Sequence, residues 1–203
     1  MNAFKQFLLE NVRRDIPKLC VEFIEESHGL PLYRGSSQKV KNPTIITPRK
    51  DRTPVDTPEE IHAAMDDWFE EHYGVRARSA GVFATGNKFT ASSYGTPYFV
   101  LPIGDFKYFW AEDISFQTIN GAVKDTILIS DQIRRLQSRT PDELKQNTNE
   151  ILTKRFKIKT TNLSKAITEF SEITLVCDQY MIVPFDTELD NNLHEKYYQS
   201  IIE

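Results

Sequence analysis

Gly81–Asp105 reads GVFATGNKFTASSYGTPYFVLPIGD, and it decides the fold because it sets two apolar runs on either side of dense turn chemistry. Val82-Phe83-Ala84 is a short apolar segment and Thr85-Gly86-Asn87 is a turn signal. The Asn87 side chain is placed to accept from the first amides of a short helical run to Tyr94. Gly95 suits the left-handed position that ends a helix, and Pro97 opens a second apolar run, Tyr98–Ile103, which predicts a buried strand. The stretch therefore predicts strand, capped helical turn, strand. Small residues (Ala84, Ala91, Ser92, Ser93) stand among Phe83, Phe89, Tyr94, Tyr98 and Phe99, so a flat ligand has room to approach the backbone against an aromatic wall. The same pattern also suits a packed core with nothing bound.

Working outward, Gly104-Asp105 predicts a turn into Phe106–Trp110 and hence a hairpin of two aromatic-rich strands. Ser171–Cys177 predicts a strand opened by Glu172, resuming after Asp178-Gln179 at Tyr180–Val183. Upstream, Leu30–Gly35 (LPLYRG) predicts a short strand carrying Arg34 beside Gly35; an arginine among apolar residues must reach solvent or be paired. Residues 36–57 lack periodicity and hold Lys39, Lys41, Arg49, Lys50 and Arg52 among Pro43, Pro48 and Pro54. They read as a long, mobile basic loop that orders over ligand phosphates.

Helices frame these strands. Phe4, Leu8, Val12 and Ile16 form one apolar stripe of a helix over 3–27, interrupted at Pro17. Thr57-Pro58-Glu59-Glu60 and Thr140-Pro141-Asp142-Glu143 both read as capping boxes with proline at the first helical position. The first opens a helix with Ile61, Met65, Trp68 and His72 on one face and Gly74 as its stop; the second opens a helix to about Arg155. A short helix follows at Leu163–Phe170, and Leu189, Leu193, Tyr197 and Ile201 mark a terminal amphipathic one. The division that results is a helical element at 1–28, a domain at 29–184 and a terminal helix at 185–203.

With 203 residues, 39% hydrophobic and 27% charged, the chain predicts one sizeable core of the α+β class, a split, mostly antiparallel sheet flanked by helices. A formal net charge of −4 argues against whole-surface attraction to nucleic acid or an anionic membrane, while leaving room for a local basic patch. Cys20 and Cys177 lack metal-ligand spacing and read as buried thiols of a reducing compartment; His62 and His72 share no ligand spacing with other donors, so no metal is expected. No leader or 18-residue apolar run is seen, which predicts a cytoplasmic protein.

In this order, LYRG, then GVFAT with its hydroxyl residues and YG end, then a late strand opened by glutamate, the chain resembles the ADP-ribosyltransferase superfamily. It looks most like the small transferase-like proteins encoded by bacteriophages, for which host cytoplasm or virion would be the location. The resemblance covers roughly residues 30–183 and implies NAD as substrate. It implies Glu172 and Arg34 as catalytic residues, and a cofactor-binding set of Arg34, Gly35, Phe83, Thr85, Ser92 and Tyr94. Phe170 stands two residues before Glu172, where arginine-modifying members carry glutamine or glutamate, so the acceptor stays open.

Those roles suit the chemistry. Cleavage of the nicotinamide glycosidic bond develops positive charge on the ribose, which a fixed carboxylate stabilises. Arginine forks onto phosphate or ribose oxygens, and an aromatic ring such as Phe83 or Tyr94 stacks on nicotinamide. Mono-ADP-ribosyl transfer to a protein or nucleic-acid acceptor is the expected activity. Two alternatives are a non-catalytic binding or virion protein on the same fold, and a nucleic-acid-binding module built on Lys39, Lys41, Arg49, Lys50 and Arg52 with Arg76 and Arg78.

Overall fold

A computed structural model describes residues 18–53, 57–111 and 140–184. The N-terminal stripe up to Pro17, the segment 113–130 and the terminal helix at 185–203 lie outside the described residues. In order, the elements are α1 (Val21–Ser27), β1 (Tyr33–Ser36), β2 (Thr44–Ile46), α2 (Glu59–Tyr73), α3 (Ala77–Ala80), β3 (Val82–Thr85), α4 (Lys88–Ser92) and β4 (Thr96–Ala111). They continue with α5 (Pro141–Glu150), a π turn at Ile151–Arg155, β5 (Ile158–Lys159), α6 (Leu163–Thr168) and β6 (Glu172–Pro184). The class is α+β, and every strand pairing among the described residues is antiparallel.

The fold is built on β4 and β6, which pair from Tyr98↔Pro184 to Phe109↔Thr174. The expected hairpin at Gly104-Asp105 does not form. The chain runs straight through as one strand, and the two residues lie at a register shift between Ile103 and Phe106, with Gly104 at φ +66°. Asp178-Gln179 is likewise taken up inside one strand. A bulge costs the ladder less than a turn when the partner strand continues beyond it, and it bends the strand. β1 pairs with both β4 and β3, while β3 pairs with β6, so β1, β4, β6 and β3 close a small ring.

Directly opposed residues in an antiparallel ladder share a face. On one face, Leu32, Val82, Ala84, Val100, Ile173, Leu175 and Ile182 are buried together with Phe23 of α1 and Leu163, Ala166 and Ile167 of α6. On the other, Phe109 and Ala111 pack with Ile61, Met65, Trp68 and Phe69 of α2 and with Ile151 and Leu152. Each fully buried aliphatic side chain contributes about 1.5–3 kcal/mol.

The two capping boxes part ways. Thr140 accepts from the Glu143 amide at 3.2 Å with Pro141 next to it, as expected. At the first box the cap is Pro58, with no side-chain hydrogen bond, and Thr57 is buried instead. The loop 36–57 is also corrected: Thr44–Ile46 forms β2 against Tyr180–Ile182, and Pro48 is buried, so this segment lies along the sheet. Both cysteines are free and buried, and burial pushes each thiol up to about 11.

Candidate functional site

The central stretch folds as its turn chemistry dictates. Asn87 accepts from the amides of Phe89 at 2.9 Å and Thr90 at 3.2 Å, and Gly95 takes φ +126°. Glycine is required at Gly35 because β1 runs directly under α4: a Cβ there would collide with the Ala91 carbonyl oxygen and lie 2.8 Å from Tyr94 Cβ. Arg34, Gly35 and Tyr94 are thereby brought to one end of the ring.

At that end, Tyr33 opposes Thr85 and Thr85 opposes Glu172. Phe83 opposes Thr174, which opposes Phe109, so Phe83, Thr85 and Glu172 all face the α2 side of the sheet. Arg34 is one residue out of phase, opposite Tyr98, and leaves the strand on the other face. Its Nη1 turns into the opening beside β3 and donates to the Phe83 carbonyl oxygen at 3.0 Å. The expectation that Arg34 and Glu172 share a face is thus corrected by the register, although the Arg34 charge still acts on the site through Arg52.

Two other arginines occupy the Glu172 side. Arg52 donates from its backbone to Ser79 O at 3.2 Å and from Nη1 to Gly81 O at 2.8 Å, and its guanidinium carbon stands 4.5 Å from the Phe83 ring centroid. The Arg78 guanidinium carbon stands 4.9 Å from the same centroid. Burial pushes Arg52 down to about 10; the positive charges of Arg34 and Arg78 add to this, and Glu172 opposes it. Arg78 is lowered by burial, with Glu172 and Asp66 opposing. Both remain cationic at neutral pH. A ring that the sequence offers to nicotinamide therefore already carries two guanidinium groups.

Arg78 is aimed by a buried carboxylate. Asp66, wholly inaccessible, accepts from Arg78 N at 2.7 Å and from Ser79 N at 3.1 Å and also from the Ser79 hydroxyl. His62 Nε2 lies 3.1 Å from Ser79 Oγ and 3.5 Å from Asp66 Oδ2. This network fixes the first turn of α3 and so the direction in which Arg78 leaves it. The His62 proton affinity is lowered, first by burial and then by Arg78, with Asp66 opposing.

No family model, curated protein or solved structure matches this chain.

The remaining expected residues sort clearly. The Thr85 hydroxyl is committed, donating to Phe170 O and accepting from Asn87 N, both at 3.2 Å. Ser92 is exposed and its hydroxyl returns to Phe89 O of its own helix at 2.7 Å. Tyr94 is 43% exposed at the rim. Lys39, Lys41, Arg49 and Lys50 are exposed, Arg49 pairing with Asp51 at 3.1 Å. Among the described residues no group of three His, Cys, Asp or Glu is placed to hold a metal ion, and no helix is long and apolar enough to cross a membrane.

Sequence reasoning missed Asp66 and the role of Arg78, and it placed Arg52 in a basic loop. The signal for Asp66 was present: at helical spacing it falls on the stripe of Ile61, Met65 and Phe69, where an acid must be paired.

Proposed function

We propose that the chain is a mono-ADP-ribosyltransferase of the ADP-ribosyltransferase-like fold, which cleaves NAD and transfers ADP-ribose to a macromolecular acceptor. The observation that carries this reading is a carboxylate, Glu172, opening a central strand on the face where Arg52 and Arg78 stand over Phe83. The donor set suits the substrate: two cations beside one carboxylate leave a positive site for a pyrophosphate, whose oxygens guanidinium groups bind by charge-assisted forks. Arg34, tied to the Phe83 carbonyl oxygen, adds field and holds β1 against β3.

In the reaction the bond between ribose C1′ and the nicotinamide nitrogen breaks and nicotinamide leaves neutral. The acceptor nucleophile bonds C1′ and gives up a proton. Glu172 stabilises the positive charge that develops on the ribose between these events. Because two guanidinium groups cover Phe83, Tyr94 at the rim is the ring left for stacking.

A non-catalytic binding protein on the same fold is the second reading. It is favoured by the commitment of Arg34 Nη1 and of the Thr85 hydroxyl to backbone partners. Nicotinamide release by wild type and Glu172→Gln separates the two.

A further inference from the structure

We propose that the face formed by the loop after β1 together with α4 is a binding surface for single-stranded nucleic acid, which makes such a strand the acceptor class of the site beside it. The acceptor assignment rests on the transferase reading; the binding itself does not.

Charge is the first observation. Residues 28–53 hold Arg34, Lys39, Lys41, Arg49, Lys50 and Arg52 against one acid, Asp51, and residues 81–104 hold Lys88 and no acid, in a chain whose net charge is −4. The two segments are one surface, because Gly95 packs against Ser36 and Ser37 and the Val40 amide donates to Tyr98 Oη at 2.9 Å. Lys39 and Lys41, both exposed, are thereby held next to α4 and Tyr94. Segregation of positive charge onto one side of an acidic protein is the electrostatic footprint of a polyanion partner.

Exposed aromatic rings are the second observation. Phe89 is 87% exposed, Phe170 44% and Tyr94 43%, while the comparable rings Phe23, Phe99 and Phe109 are buried. The three are linked at close range. Phe170 O accepts from Thr85 Oγ1, Thr85 Oγ1 accepts from Asn87 N, and Asn87 Oδ1 accepts from Phe89 N, each bond within 3.2 Å. Tyr94 closes α4, its amide donating to Ala91 O at 3.1 Å. Large rings left in water beside lysines provide stacking faces for unpaired bases, with the lysines following the phosphates, which is how strands are bound without sequence readout. A duplex hides its base faces and cannot use the rings.

The test is fluorescence anisotropy of labelled 12-nucleotide RNA and DNA strands with the full chain, without NAD, across a salt series. Binding of either strand is expected, with a blunt duplex of the same sequence at least about tenfold weaker. Phe89→Ala is expected to weaken strand binding by about five- to 100-fold and to leave the salt slope unchanged. Lys39→Ala with Lys41→Ala is expected to reduce that slope by about one. No strand binding at low salt overturns the proposal, as does equal affinity for duplex and strand, or a Phe89→Ala variant that binds like wild type. A concentration-dependent dimer abolished by Phe89→Ala, without strand binding, would assign the face to a second copy of the chain. None of these readouts uses NAD, so failure here and failure of the transferase reading remain distinct.

Discussion

Arg52 stands with its guanidinium carbon 4.5 Å from the centre of the Phe83 ring while its Nη1 donates to the carbonyl oxygen of Gly81, two residues before that ring. The segment after β2 is thereby fastened to β3, and the Arg52 cation is held beside Glu172 with the Arg78 cation over the same ring.

Replacing that ring tests its part in holding the arginines. Phe83→Leu keeps an apolar side chain but removes the π face under two guanidinium groups, each such contact contributing about 0.5–2 kcal/mol. A loss of about 1–3 kcal/mol in urea unfolding is expected, together with weaker binding of inorganic pyrophosphate by calorimetry. Unchanged values for both would mean that the ring is incidental to the cluster.

Asp66→Ala removes a buried acceptor and strands the Arg78 and Ser79 amides. Breaking a buried charge network in this way costs about 3–5 kcal/mol. Asp66→Asn, which keeps one oxygen for the Arg78 amide, is expected to cost less and to weaken pyrophosphate binding through misplacement of Arg78. Thermal melts of the two variants check the order.

The His62 site makes stability depend on pH in a defined direction. Its folded-state proton affinity is lowered by burial and by Arg78, Arg52 and Arg76, against the pull of Asp66. The unfolded chain then binds this proton more readily than the folded one. Its contribution is complete above the ordinary value of 6.5 and is lost as pH falls below it. The melting temperature is expected to fall between about pH 7 and pH 5.5, and His62→Gln is expected to flatten that part of the profile.

Gly35→Ala places a methyl group against the Ala91 carbonyl oxygen and 2.8 Å from Tyr94 Cβ. Backbone cannot yield as a side-chain tip does, so a loss of about 1–3 kcal/mol is expected. Amide exchange should rise first in α4, whose packing against β1 the methyl group disturbs; an increase confined to β6 would contradict the assignment.

What was legible in the sequence was what short-range chemistry controls. Asn87, Gly95, Thr140 with Pro141, and Gly74 state their turns and caps locally, and the structure uses each of them in that way. What was not legible depends on a distant partner. Gly104-Asp105 carries a turn signal as strong as any in the chain, but the continuous partner β6 converts it into a bulge. Thr44–Ile46 is too short to announce a strand and becomes one because β6 offers an edge. Glu172, Phe83 and Arg34 were singled out by order along the chain, yet order cannot reveal phase. The one-residue offset that sends Arg34 to the other face, and the arrival of Arg52 and Arg78 in its place, follow from the β1 register and from Asp66.

Glu172→Gln is the most direct measurement of the central claim, because it keeps the size of the side chain and removes the charge that a developing cation needs. Nicotinamide release from NAD is measured for wild type and variant, with host-cell lysate and without it, alongside NAD binding and a thermal melt. The account predicts release by wild type and a fall of about 10²- to 10³-fold in the variant. It also predicts NAD affinity only modestly changed and stability within about 0.5 kcal/mol. Equal rates in the two proteins would contradict the role of Glu172, and a wild type that neither binds nor cleaves NAD under any of these conditions would contradict the transferase itself.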